Sequence, residues 1–264
     1  IWACCGWPDG AIGESGVFAC PPVQYNLRMN GMDSFPRGDL AIVIGASGGI
    51  GGALARELGR GTAFATTLGF SRSGFPALDL RDESTIASCA AHAARLGVPR
   101  LILDATGVLH SDGLQPEKSL RQLNATQMAE AFAINAIGPA LLMKHFLPLL
   151  PRNEKSVFAT LSARVGSIGD NRLGGWFSYR ASKAALNQIV RTAAVELGRS
   201  HREAICVALH PGTVDTRLTL PFRKAGLDVQ SPDSAAERLL AVIDKLGPEH
   251  SGGFFDHRGS TVPW

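Results

Sequence analysis

The sequence predicts a single doubly wound α/β domain, a parallel sheet of about seven strands with helices on both faces. Three observations predict it. Short apolar runs such as Leu40-Ala41-Ile42-Val43-Ile44 and Ala204-Ile205-Cys206-Val207-Ala208-Leu209 lack polar alternation, as strands covered on both faces do. Segments with apolar residues at three- and four-residue spacing lie between these runs, which is how helices cross from one parallel strand to the next. Finally, 264 residues with 45% hydrophobic content are enough for one sizeable core, and 30 glycines suit many tight strand-to-helix turns.

Composition narrows the function classes. A formal charge of +3 over 26 basic and 23 acidic residues leaves no concentrated basic tract, so nucleic acid is not an expected partner. No uninterrupted run of 18 apolar residues occurs, and no membrane span is expected. None of the 7 histidines has metal-ligand spacing. Residues 1–31 differ from the rest: they hold Cys4, Cys5 and Cys20, and little periodicity. They lack the pattern of a secretory signal and are expected to be an upstream or disordered extension, with 32–264 as the domain. Cys89 and Cys206 fall in apparent core segments, which suits a reducing cytoplasm.

Taken in order, the first strand is Leu40–Ile44. It runs into Gly45-Ala46-Ser47-Gly48-Gly49-Ile50-Gly51, and the helix continues through Ala53 to Leu58. Glycines let a backbone approach a pyrophosphate, and a helix N-terminus offers free amides and partial positive charge. A tight connection with no ligand is the competing account. A second strand is expected over 63–69, leading to Ser71-Arg72-Ser73; an amphipathic helix over 83–96 carries Ile86, Cys89, Ala90 and Ala93. Leu101-Ile102-Leu103 is the next buried strand. A long helix over 126–150 follows, starting at Asn124 and bending at Pro139. Asn135 lies inside it, where its poor helix propensity asks for a reason.

Ser156–Leu161 reads as a strand ending in Leu161-Ser162, and a helix from Tyr179 follows a Gly-rich connector. On that helix Tyr179 and Lys183 stand one turn apart on one face. An ammonium beside a phenol lowers the phenol's pKa from ~10; reaching ~7 needs roughly 4 kcal/mol of differential stabilisation in a partly desolvated cleft. Such a phenol can exchange a proton with a substrate oxygen near neutral pH. An ordinary aromatic and lysine on an amphipathic helix is the alternative. The strand Ala204–Leu209 then meets His210-Pro211-Gly212, 218–227 is expected to form a variable cover, 234–246 a last helix, and Gly253-Phe254-Phe255-Asp256 a last strand.

The glycine turn Gly-x-x-x-Gly-x-Gly, followed in the second half by Ser162 and Tyr179-x-x-x-Lys183, resembles the short-chain dehydrogenase/reductase family. The Ser-to-Tyr insert, 167–176, resembles that of the C-factor and Sniffer-like carbonyl reductase branch. The resemblance implies a Rossmann-type fold and a catalytic set of Asn135, Ser162, Tyr179 and Lys183. It also implies cofactor contacts from Gly45, Ser47, Gly49, Ile50 and Gly51. Asp79 and Leu80 would border the adenine, and Tyr179 and Lys183 the nicotinamide ribose. Asp104-Ala105-Thr106-Gly107 departs from the family's Asn-Asn-Ala-Gly, yet Ala105, Thr106 and Gly107 could keep the cofactor contact. The turn Pro211-Gly212-x-Val214-x-Thr216 would meet the nicotinamide carboxamide.

Relatives that prefer NAD carry an acidic residue after the second strand, where this chain has Arg72. An arginine fork suits a 2′-phosphate, so NADP(H) is expected over NAD(H); a plain polar loop is the alternative. Structural capping near Pro139 is likewise an alternative for Asn135, whose implied role is to support a water relay to the lysine. The expected activity is carbonyl–alcohol interconversion on a small-molecule substrate, with a homodimer or homotetramer as the expected assembly. A nucleotide-binding regulatory protein with little turnover is the competing class.

Overall fold

The structure, a computed structural model, describes residues 32–111, 113, 115–222 and 228–264. The readings made for 1–31 and for 223–227 of the expected cover lie outside the described residues. The elements run β1 (Leu40–Ile44), α1 (Gly49–Arg60), β2 (Thr66–Phe70), α2 (Glu83–Leu96) and β3 (Pro99–Asp104) through the first half. Then come α3 (Ala125–Phe132), a π-helical turn (Ala133–Ile137), α4 (Gly138–Phe146), β4 (Ser156–Leu161) and α5 (Phe177–Leu197). The chain finishes with β5 (Ala204–His210), β6 (Thr213–Val214), β7 (Val229–Gln230), α6 (Pro232–Lys245) and β8 (Phe254–Asp256).

Six strands form one wholly parallel sheet in the order β2-β1-β3-β4-β5-β8. Alternate residues of each strand face opposite layers. Ile42, Ile44, Ile102 and Phe158 join the core that includes Ile86 of α2, Phe146 of α4 and Leu186 of α5. Ala41, Val43, Leu101 and Val157 join the core on the other face, with Leu54 and Leu58 of α1 and Leu239 and Ile243 of α6. Each such side chain contributes about 1.5–3 kcal/mol by leaving water, and the two stripes commit the sheet to a helical layer on each side.

The doubly wound expectation holds, with the sheet one strand short of the predicted seven. The segment 71–80 after β2 adds no strand to it. Pro76 has no N–H for a ladder, and the Leu78 N–H is taken by the Ser71 carbonyl at 3.0 Å. The segment therefore closes on itself, and Asp79 sits in a turn rather than at a strand end. β6 and β7 pair only with each other, apart from the main sheet.

The long helix is also interrupted, at 133–137 rather than at Pro139, which sits in the first turn of α4. Over 125–149 this element is long and apolar enough, by length and composition, to cross a bilayer. The long helix is as expected from the sequence; its span-like length and apolarity are not. Its apolar side serves the core here: Ala131, Ala136, Leu142, Met143 and Phe146 are all buried. As expected, Asn124 starts this helix, accepting the Gln127 N–H at 3.0 Å.

β1 has β2 on one side and β3 on the other, so the side on which successive strands are added reverses between β1 and β3. In a doubly wound sheet that reversal opens a crevice at the carboxyl ends of the strands.

Candidate active site

The crevice floor is built from backbone. Gly45 leaves β1 at φ +84, a conformation that glycine adopts freely. Its N–H is held by the Phe70 carbonyl at 2.8 Å, and the Ala105 N–H binds the Ile44 carbonyl at 2.9 Å. A Cβ on Gly51 would run into the Gly45 carbonyl oxygen. Gly48 precedes α1 with no side chain to occupy the first amides of the helix. A cavity of about 410 Å³ lies over this floor and brings together Gly45, Ser47, Arg72, Asp79, Leu80, Ala105, Thr106 and Gly107. Those eight residues span four separate segments, and all were expected around one ligand.

Gly49 serves a separate contact. A Cβ on Gly49 would meet Thr216 Cγ2 at 2.7 Å, so the glycine turn and the turn after β5 close against each other. Gly212 has φ +78, and the Pro211 carbonyl accepts from Gln230 Nε2 at 2.5 Å. Val214 is 1% exposed, so its side chain belongs to the core and only its backbone can reach a ligand. Ile50 follows on the first turn of α1, beside the cavity floor.

The other wall is one face of α5. Tyr179, Lys183 and Asn187 recur every four residues, and Lys183 and Asn187 are each 3% exposed. Lys183 Nζ donates to the Leu161 carbonyl at 2.8 Å, immediately before Ser162. Ser162 Oγ donates to Asn187 Oδ1 at 2.6 Å. Thus Ser162 and Lys183 are held where β4 ends, with Tyr179 one helical turn before Lys183 on α5. Asn187 was missed by sequence reasoning, although its position one turn beyond Lys183 was the available signal.

Asn135 approaches from the opposite side. Its Oδ1 accepts the Val108 N–H and its Nδ2 donates to the Val108 carbonyl, both at 2.8 Å, with a further bond to Ser182 Oγ at 3.1 Å. A Cβ added to Gly107 would lie 3.4 Å from Asn135 Oδ1 and 3.5 Å from Lys183 Nζ. The π-helical turn places this fully buried amide, and the amide braces the 107–108 corner. The capping alternative near Pro139 does not describe this arrangement.

Electrostatics correct one expectation. The buried Lys183 ammonium is pushed down to about 8, first by desolvation, with the Asp104 charge opposing. The Tyr179 phenol is pushed up to about 12 rather than down toward neutrality, because burial disfavours the phenolate. Desolvation is the one cause of that shift. Asp104, at the position where the family pattern departs, is 1% exposed and takes the Thr106 N–H at 3.0 Å and both threonine hydroxyls, Thr106 at 2.5 Å and Thr160 at 2.7 Å. Burial raises its pKa. It fixes the Thr106 corner, which explains how an aspartate serves there.

Over Tyr179 lies an aromatic wall from three segments. Trp176 meets the Tyr179 ring edge-on at 6.3 Å and Phe222 at 5.1 Å; His110 meets Phe222 at 5.5 Å. A larger groove, about 670 Å³, runs along α4 and α5 and includes Met143, Leu147, Ile189 and Ala193, away from all these residues.

Fold and cleft together define a doubly wound protein of the nucleotide-binding type, with Ser162 and Lys183 buried and Tyr179 half-buried one turn from the lysine. A family model described as Enoyl-(Acyl carrier protein) reductase matches residues 52–240. The chain is 32% identical over 232 residues to 1-hydroxy-2-glutathionyl-2-methyl-3-butene dehydrogenase of Rhodococcus sp. (strain AD45), covering 84% of this chain and 98% of that protein. It is 40% identical over 146 residues to C-signal of Myxococcus xanthus, covering 55% of this chain and 84% of that one. Among solved structures, NADPH-bound carbonyl reductase from chicken fatty liver superposes with a TM-score of 0.75 at 25% identity, over 86% of this chain and 100% of that one. The chain belongs to the short-chain dehydrogenase/reductase family and is an oxidoreductase acting between CH–OH and C=O.

Proposed function

We propose that this protein is an NADP(H)-dependent oxidoreductase that interconverts a small-molecule carbonyl and its alcohol, with Tyr179 as the proton-transferring group. The observation that supports the reading is that Ser162 and Lys183 are held at the end of β4, with Tyr179 one turn away on α5, near a cavity lined from the glycine turn to Gly107. The chicken carbonyl reductase, solved with NADPH, supports the cofactor class.

The residues present fit a dinucleotide. The Gly45–Gly51 turn packs too closely on its own backbone to admit a Cβ at Gly51, and the start of α1 supplies amides that a pyrophosphate would take. Arg72, exposed at the cavity edge, would hold a 2′-phosphate; Asp79 and Leu80 would border the adenine. Lys183 would hold the nicotinamide ribose, and the 211–216 backbone the carboxamide. The cofactor supplies the hydride chemistry. Tyr179 is protonated at physiological pH and would give its proton to the carbonyl oxygen in the direction of reduction. Ser162 would turn its hydroxyl from Asn187 to the substrate oxygen and stabilise charge there. Asn135 would support proton return along the Lys183 side.

NADPH oxidation against aldehydes, ketones and quinones, beside NADH, tests the reading. Tyr179→Phe should cut kcat by at least about 1000-fold, combining the loss of acid catalysis and of orientation, while NADPH binding stays within about twofold. Unchanged turnover removes Tyr179 from the mechanism. Arg72→Ala should lower the NADPH-over-NADH preference about tenfold to hundredfold, the worth of a charge-assisted hydrogen bond. An unchanged preference removes Arg72. The free thiols Cys89 and Cys206, both buried, suit a cytoplasmic setting. The apolar α4–α5 groove suits a homodimer or homotetramer, which light scattering in solution would test.

A further inference from the structure

α5 starts in a way its own sequence does not provide for. The first amides of a helix need acceptors, usually from a Ser, Thr, Asp or Asn at the cap. Trp176 occupies that position, at φ 53 and ψ 45, and its indole makes no capping bond. The acceptors come from 61 residues upstream. Glu117, 3% exposed, takes the Ser178 N–H on Oε2 at 3.1 Å and the Ser178 hydroxyl on Oε1. Its backbone carbonyl takes the Trp176 N–H at 2.5 Å.

Burying a carboxylate is expensive unless donors surround it. Two bonds donated to the carboxylate and the positive end of the helix offset that cost here. The location matters more than the cap itself. Ser178 directly precedes Tyr179, and Trp176 starts the aromatic wall against the Tyr179 ring. The same carboxylate and carbonyl therefore set both the proton-transferring residue and the ring beside it. Gly175, at φ +65, passes against the Glu117 carbonyl: a Cβ there would lie 3.5 Å from that oxygen. The insert between Ser162 and Tyr179 is thus shaped to reach Glu117.

We propose that Glu117 is a positioning residue for the carbonyl–alcohol reaction, holding the first turn of α5 so that the Tyr179 hydroxyl faces Ser162 and Trp176 stands against the substrate side. This rests on the proposed function. Glu117 touches neither substrate nor cofactor; it acts through Ser178 and Trp176.

Glu117→Ala, Glu117→Gln and Ser178→Ala, each in the full chain, test it. Turnover is expressed per NADPH-binding site, titrated by NADPH fluorescence, and amide hydrogen exchange is followed at 176–180. Glu117→Ala should lower kcat per site at least tenfold with the NADPH Kd within twofold, and speed exchange at Trp176 and Ser178. Glu117→Gln should recover most of the rate, because the amide oxygen can accept the Ser178 N–H while its NH2 donates to the hydroxyl. Ser178→Ala, which keeps the N–H bond, should fall between and guards against a misfolded alanine variant. Loss of turnover only in proportion to lost binding sites, or unchanged kcat and exchange in Glu117→Ala, would overturn the proposal. Wild-type turnover that vanishes in Tyr179→Phe keeps the functional reading intact, so a failure at Glu117 is then its own.

Discussion

The two walls of the cleft are made by opposite means. The glycine turn after β1 works by what is missing: Gly45 takes φ +84, and Gly51 leaves the space against the Gly45 carbonyl empty. The face of α5 works by what is present: Ser178, Ser182, Lys183 and Asn187 are all buried polar residues, with exposures of 3%, 0%, 3% and 3%. Each of the four is hydrogen-bonded. The difference teaches where each wall is fragile. The turn should tolerate changes of charge nearby but not added volume. The helix should tolerate small changes of volume but not a lost partner, since an unpaired buried group costs about 1–3 kcal/mol.

Gly51→Ala gives the largest separation. The new methyl has backbone on one side and the Ala105 Cβ, 3.3 Å away, on the other. Overpacking against backbone costs about 1–3 kcal/mol or more, so NADPH affinity should fall tenfold to hundredfold and thermal stability should drop with it. Retained affinity by fluorescence titration would show the turn to be softer than the comparison claims. Asn187→Ala is the counterpart on the helix. It removes volume and the acceptor of the Ser162 hydroxyl, and kcat should fall about tenfold with NADPH binding preserved, corresponding to about 1.4 kcal/mol of lost orientation. Equal losses in kcat and in binding would erase the distinction between the walls.

Asp104→Asn should have the smallest effect and the most specific signature. Lys183 has its pKa lowered to about 8, and Asp104's charge opposes that lowering. Lysine is cationic below its pKa, so activity should hold below about pH 8 and decline above it. Without the Asp104 charge the lysine pKa falls further, and the alkaline decline should begin at lower pH. A pH profile of kcat/KM that does not move would remove Asp104 as the lysine's partner. Because Tyr179 stays protonated to about 12, it does not contribute to that limb.

The cradle was the more legible wall. A strand, a run of glycines and a helix are adjacent in sequence, and the steric demand of a phosphate-binding turn falls on those same residues. Tyr179 and Lys183 were visible for a similar reason, since helical periodicity alone places them on one face. Asn187 obeys that periodicity but carries no motif of its own. Glu117 had no local signal, because the helix it caps begins 60 residues later at Phe177, outside any window of spacing. The Tyr179 pKa went the other way from its expectation for a related reason: one lysine four residues along predicts attraction, whereas desolvation depends on everything that packs around the phenol.

By itself, the sequence determined which segments become strands and helices, the glycine turn, and the Tyr-x-x-x-Lys face, because each depends on steric and hydrogen-bond rules acting over a few residues. The tertiary structure alone decided that 71–80 closes as a loop and does not add a seventh strand. It also decided that Asn135 braces Val108 across 27 residues, and that a carboxylate 61 residues upstream caps the catalytic helix. Those outcomes depend on burial and on donors meeting acceptors across the fold, and such meetings exist only once the sheet has brought distant segments together.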